Sequence, residues 1–312
     1  MSSPLAGRVV LITGAARGIG AETARQAAAR GATLALLGLE PEKLAELAAE
    51  LGVGHVWHEC DVTDEAALGA AVAATLDALG RVDVVVANAG VANLGTVAIS
   101  PTAALTRTIE VNLLGVVYTV AATLPEVTRR RGYFLLVSSA AAFTVLPGMA
   151  AYCAAKAGVE QFGNALRLEL AHKGVSVGTA HPAWIDTDMV RDFRSDLPAF
   201  DETVRKLPWP LNATTSVHEC AAAFVDGMER RRRKIYVPRA LAGVQALRTL
   251  ILGPVAEAIV ARQARIRVPE LERDVTALGR SFGAHSSGLG AGAGVSGVTP
   301  GLAGGAPARE AL

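Results

Sequence analysis

The sequence predicts an α/β fold: a doubly wound parallel sheet in a single domain, followed by a C-terminal helical extension. Three observations carry that prediction. Apolar runs of strand length alternate with longer amphipathic stretches through the first 239 residues, as they do where parallel strands are joined by crossing helices. The first run leads at once into a glycine-rich turn and an alanine-rich helix, the order a phosphate-cradling loop requires. The chemistry-bearing polar residues fall just after the apolar runs, where an open parallel sheet binds its ligands.

Taken in order, Val9–Thr13 is the first expected strand. It opens into Thr13-Gly14-Ala-Ala-Arg17-Gly18-Ile19-Gly20, whose glycines permit a tight turn and bring the backbone close to a pyrophosphate at the helix N-terminus. The helix follows from Ala21 to Arg30 and ends at Gly31. Further strands are expected at Thr33–Leu37, Gly54–Trp57, Val82–Ala87, Tyr133–Ser138, Ser176–His181 and Lys234–Val237, with helices between them. The last of these helices runs from His218 to Glu229 and ends in the basic run Arg230-Arg-Arg-Arg-Lys234, where cations complement the helix dipole and stay solvated.

Tyr152-Cys-Ala-Ala-Lys156, with Ser139 thirteen residues upstream, is the chemical centre of the chain. On a helix, residues i and i+4 share a face. An ammonium beside a phenol favours the phenolate and lowers a pKa that otherwise lies near 10. A tyrosine tuned in this way exchanges a proton with an alcohol or carbonyl oxygen near neutral pH.

With the glycine turn and these residues in hand, the chain resembles the classical short-chain dehydrogenase/reductase (SDR) family, from about Gly7 to about Arg239. Further landmarks appear in order: Asp61-Val62, Asn88-Ala89-Gly90, Asn112, Ser138-Ser139, Pro182-Ala183 and Thr187. The resemblance implies a Rossmann fold and a catalytic tetrad of Asn112, Ser139, Tyr152 and Lys156. It also implies a cofactor site formed by Gly14, Arg17, Gly18, Ile19, Gly20, Gly38, Asp61, Val62, Asn88, Ala89, Gly90, Tyr152, Lys156, Pro182 and Thr187. In that family Lys156 would also hydrogen-bond the nicotinamide ribose, and Asn112 would hold a water linking Lys156 to solvent. Ala183 stands where the family usually has glycine, which makes that turn stiffer. The implied activity is NAD(P)-dependent hydride transfer to a carbonyl or from a secondary alcohol. A sensor or scaffold that kept the fold but lost its chemistry is the alternative, and the intact tetrad speaks against it. The glycine spacing disfavours an epimerase or dehydratase.

For the cofactor, the residue at the end of the second strand is Gly38, which lacks the carboxylate that NAD-preferring relatives place there. Arg17 lies where NADP-preferring relatives often carry a cation. The reading leans to NADP over NAD, although Glu40 is within a swing of a ribose hydroxyl.

Composition fits. The chain has 312 residues, 51% of them hydrophobic, and a formal charge of +1. It can bury a large core and lacks the basic excess of a nucleic-acid binder. Cys60, Cys153 and Cys220 show no metal-type pairing, the odd count argues against a full intramolecular disulfide set, and the scattered histidines supply no metal pattern. They read as reduced thiols of a cytoplasmic protein. No signal peptide is seen before the first strand.

A substrate lid is expected over 188–211, where Met189, Val190, Phe193, Leu197, Phe200, Leu207 and Trp209 suit an apolar carbonyl or alcohol. Phe143, Val145 and Leu146 point the same way. Residues 240–282 read as a helical extension, with Val244, Leu247, Ile251, Val255 and Ile259 at helical spacing. They suit a packing or subunit-contact helix, with a peripheral membrane contact or a substrate lid as alternatives, and they are too interrupted by charge and proline to span a bilayer. The resemblance implies a homodimer or homotetramer. The Gly/Ala-rich stretch 283–312 reads as disordered.

Overall fold

The computed structural model describes residues 3–283, so the expectation for the tail beyond Gly283 lies outside the described residues. Among the described residues nine strands form: β1 Val9–Thr13, β2 Thr33–Gly38, β3 Val56–Glu59, β4 Val84–Ala87, β5 Tyr133–Val137, β6 Ser176–Pro182, β7 Trp184–Ile185, β8 Thr214–Thr215 and β9 Lys234–Val237. Seven make one parallel sheet in the order β3-β2-β1-β4-β5-β6-β9. The strand order reverses between β1 and β4, which opens a crevice at their carboxyl ends. β3 begins two residues later than expected, and the β7–β8 pair was not anticipated because two-residue strands carry no readable alternation.

The helices up to β8 are α1 Gly18–Ala29, α2 Pro41–Leu51, α3 Glu65–Leu79, α4 Thr102–Ile109, α5 Gly115–Arg129, α6 Ala150–Leu170, α7 Asp188–Asp196 and α8 Pro198–Arg205. After them come α9 Val217–Glu229, α10 Leu241–Ala246, α11 Arg248–Ile251 and α12 Pro254–Leu278. Successive strand residues point to opposite faces, so β1 sends Val10 and Ile12 into one core and Val9 and Leu11 into the other. The first core is closed by apolar faces of α1, α2 and α9, the second by those of α3, α5 and α6. With both faces covered, the central strands are apolar throughout.

One helical run, Thr102–Arg129, is apolar and long enough to cross a membrane. Here it is a core element: Val111, Val116, Val120 and Val127 are buried, and α4 packs against α6. Beyond β9 the expected continuous apolar stripe is broken into three helices at Leu247 and Gly253. Leu247 is exposed, while the side chains of Ile251, Val255 and Ile259 lie outside what the structure describes. Leu241 and Val244 of α10 pack in a cluster with Phe143, and further on Leu271 and Val275 of α12 join Ala92, Leu94, Met149, Phe193 and Leu197 in another apolar cluster.

Candidate active site

A cleft of about 250 Å³ lies along the carboxyl ends of the strands, with a second cavity of about 110 Å³ beyond Ser139 and Tyr152, which line both. The first is built from the glycine loop. Gly14 has φ +64°, and a Cβ there would stand 2.8 Å from the Ala89 Cα, so only glycine fits this left-handed, crowded position. Arg17 precedes α1 in extended geometry, and no side chain caps the helix. The first N–H groups of α1 therefore present an anion site of the kind that takes a pyrophosphate.

Asn88 latches the loop in place. Its Nδ2 donates to the carbonyls of Thr13 and Gly14, both at 3.1 Å, and its own N–H donates to Thr13 Oγ1. Every residue assigned to the cofactor site lines the cleft except Gly20. Gly20 packs against the loop instead, where a Cβ would collide with the Gly14 carbonyl and come within 2.8 Å of the Asn88 amide.

At the far end of the cleft, below Gly38, Arg17 grips Glu40. Its Nε donates to Oε2 at 2.7 Å and its Nη2 to Oε1. Lys43 donates to Glu40 as well, at 2.8 Å, and Asp188 lies 3.6 Å from Arg17 Nη1. Burial pushes the Glu40 carboxyl up, but the hydrogen bonds from Arg17 and Lys43 outweigh it and hold the group below the ordinary carboxylate range. Asp61 is likewise engaged: Oδ1 accepts from Thr63, and Oδ2 accepts from Arg107 Nη2 at 2.7 Å. Arg107 lines the cleft and was missed by sequence reading, since it sits on α4, 46 residues from its partner.

Asn112 lies in a π-helical turn, Glu110–Leu114, between α4 and α5. Such bulges are rare and recur at functional sites. Its Nδ2 donates to the carbonyls of Val91 and Thr108 at 2.6 and 2.8 Å. Its buried Oδ1 has no hydrogen-bond partner, although a Cβ on Gly90 would stand 2.7 Å from it. Lys156 Nζ approaches the same Gly90 position.

Ser139 follows β5 in extended geometry. Its Oγ accepts from the Ala141 N–H at 3.1 Å and donates to the Pro182 carbonyl at 3.3 Å. Ser138 turns the other way and donates to the Lys156 carbonyl at 2.8 Å. Tyr152 and Lys156 share one side of α6, with Nζ 5.5 Å from the ring centroid, and Nζ donates to the Val137 carbonyl at 2.9 Å. The expected depression of the Tyr152 pKa is not found. Burial pushes the phenol up to about 12, with the Ser139 hydrogen bond pulling it back only in part, and burial brings Lys156 down to about 7. Desolvation dominates both groups.

Thr187 caps α7, accepting from the Val190 N–H at 3.4 Å, and also lines the cleft. The second cavity takes Val145, Leu146, Met189, Val190, Phe193 and Leu207 from the expected apolar set. The others go elsewhere. Phe143 packs inward against His181 and Tyr236, Leu197 joins the cluster with α12, Trp209 is exposed, and the Phe200 side chain lies outside what the structure describes. Among the described residues no group of three His, Cys, Asp or Glu is placed to hold a metal.

The sequence profile of the short chain dehydrogenase family matches residues 8–198. An uncharacterized oxidoreductase of Mycobacterium tuberculosis is 36% identical over 210 residues, spanning 61% of this chain and 76% of its own. The oxidoreductase UcpA of Escherichia coli is 36% identical over 209 residues, spanning 64% and 78%. Glycine betaine reductase ATRR of Emericella nidulans is 37% identical over 191 residues, 60% of this chain but 15% of the reductase. Among solved structures, levodione reductase superposes with a TM-score of 0.66 at 27% identity, covering 72% of this chain and 91% of the other. An SDR of Burkholderia phymatum in complex with NAD gives 0.69 at 24% identity, covering 78% and 93%.

Proposed function

Because the chain belongs to the short-chain dehydrogenase/reductase family, we propose that it is a nicotinamide-dinucleotide-dependent oxidoreductase acting on the carbonyl or secondary alcohol of an apolar substrate. One observation carries this reading: Ser139 and Tyr152 line both the cleft beside the glycine loop and the apolar cavity, and Lys156 and Asn112 line the cleft with them. The residues fit such a cofactor. The α1 N-terminus lacks a side-chain cap, Gly14 leaves no room for a side chain, and Asn112 Oδ1 is an unused buried acceptor.

When bound, the nicotinamide supplies or accepts the hydride. In the direction of reduction, Ser139 Oγ leaves its contact with the Pro182 carbonyl to donate to the substrate oxygen and stabilise its developing charge. Tyr152, whose raised pKa keeps it protonated at neutral pH, delivers the proton to that oxygen. Lys156 has its pKa brought near 7, so it can take up and release a proton under ordinary conditions. The Asn112 Oδ1 is placed to hold a water between Lys156 and solvent.

The second cavity favours an uncharged substrate body. Among the described residues its lining includes no Asp, Glu, Lys, Arg or His, so none of them would offset the desolvation of a carboxylate or phosphate. For the cofactor, the Arg17–Glu40 pair turns the reading from NADP toward NAD. A 2′-phosphate reaching for Arg17 meets the Glu40 carboxylate beside it, whereas a ribose 2′-hydroxyl can donate to that carboxylate. The test is turnover of NADH and NADPH against a panel of apolar ketones, in the parent chain and in Tyr152→Phe. Turnover that survives the substitution unchanged would overturn the assignment.

A further inference from the structure

From Ala240 to Val268 the sequence carries four arginines against one glutamate, within a chain whose formal charge is only +1. This basic segment is also where apolar side chains face outward. Leu247, Leu250 and Leu252 on and beside α11, and Val260 and Ile266 on α12, are all exposed, with Leu250 at 71% and Ile266 at 64%. Arg262 and Arg265 lie exposed beside Ile266 and make no ion pair among the described residues. Arg248 and Arg267 reach carboxylates only at 3.9 Å outside the local turn. Exposed leucine and isoleucine interleaved with unpaired arginine are the two halves of a site for an anionic lipid surface: apolar area to insert, and cations for the headgroups.

The position of this face adds a third observation. Leu241 and Val244 of α10 pack in one cluster with Leu211, and Leu211 lines the apolar cavity. Two residues before it stands Trp209, 71% exposed, an amphipathic ring of the kind that settles at the boundary of lipid and water. The basic apolar extension and the exposed tryptophan thus adjoin the wall of the apolar cavity.

We infer that α10, α11 and the first half of α12, together with Trp209, dock the protein on an anionic membrane surface. Charge decides between this occupant and a second copy of the chain. Two such faces brought together would juxtapose their arginines, whereas a phosphatidylglycerol or phosphatidylserine surface complements them. The docking surface stands apart from the catalytic reading, because nothing in it depends on what the cavity turns over.

The test is co-sedimentation of the full 312-residue chain with vesicles of phosphatidylcholine alone and of phosphatidylcholine mixed with phosphatidylglycerol. Binding to the mixed vesicles is expected, weakening as salt is raised because screening shortens the reach of the charges. Arg262→Gln and Arg265→Gln should each weaken it about fivefold, the factor for one basic residue near an anionic surface. Leu250→Glu combined with Ile266→Glu should abolish it while leaving NADH affinity, read by nicotinamide fluorescence, unchanged. Two outcomes would overturn the inference. One is equal or absent binding to both vesicle types by a chain that still binds NADH. The other is a concentration-dependent dimer that Leu250→Glu breaks, with no vesicle binding, which would assign the face to a second copy.

Discussion

Arg17 and Glu40, 23 residues apart in sequence, close on one another at the cleft beside Gly38 through two hydrogen bonds, one of them 2.7 Å between Nε and Oε2. In the proposed cofactor reading the pair faces the ribose 2′ position, where NAD and NADP differ, and Glu40 offsets the charge of Arg17. Glu40→Ala removes the carboxylate and leaves Arg17 only the longer, 3.6 Å approach of Asp188. A charge-assisted hydrogen bond is worth about 1.5–3 kcal/mol, so the ratio of kcat/KM for NADPH over NADH should rise by at least about tenfold. Parallel initial rates with the two cofactors check this.

His181 supplies a prediction about acid. It is fully buried, its ring is stacked on Tyr236 at 5.3 Å, and its nitrogens contact the Ser139 carbonyl and Thr179 Oγ1. Burial brings its pKa down from 6.5 to about 4. Between those values the unfolded chain binds a proton that the folded chain does not, so stability contributed at this site falls as pH drops from about 6.5 to about 4. Thermal unfolding of the parent and of His181→Gln across that window should show the parent losing more stability on acidification. Parallel curves would contradict it.

Leu271 ties the extension to the catalytic body. Buried in the cluster with Met149 and Phe193, it fills the space that a Cβ on Gly148 would need, two residues before α6 brings in Tyr152. Leu271→Ala should lower stability by about 2–5 kcal/mol, the usual cost of emptying a leucine site. It should also raise KM for the carbonyl substrate more than KM for the cofactor, because Phe193 of α7 belongs to that cluster and also lines the second cavity. Denaturant unfolding and paired kinetic constants test the two parts.

Much of this was legible in the sequence, for a physical reason. Strand burial on both faces makes apolar runs, and the sheet collects whatever follows those runs at one edge, so Gly14 and Ser139 are read from the pattern, while Asn88 and Pro182 rest on the resemblance to the family. Tyr152 and Lys156 were readable because helical spacing is local. Arg107 on Asp61 and Glu40 on Arg17 were not, because side-chain pairs between separate elements leave no periodic trace. The expected effect of Lys156 on Tyr152 failed because a charge seen in sequence carries no record of its burial. Phe143 and Trp209 divided for the same reason: one packs inward on His181 and the other faces out, although both are apolar aromatic residues near the site.

The most direct test of the central claim follows hydride transfer from NADH and NADPH to apolar ketones in the parent chain and in Tyr152→Phe, with cofactor affinity measured alongside. General acid–base catalysis contributes about 10²- to 10⁴-fold, so turnover should fall by that factor while cofactor binding stays within about twofold. Turnover retained in Tyr152→Phe would contradict the assignment of Tyr152 as the proton donor, and with it the chemistry proposed for this cleft.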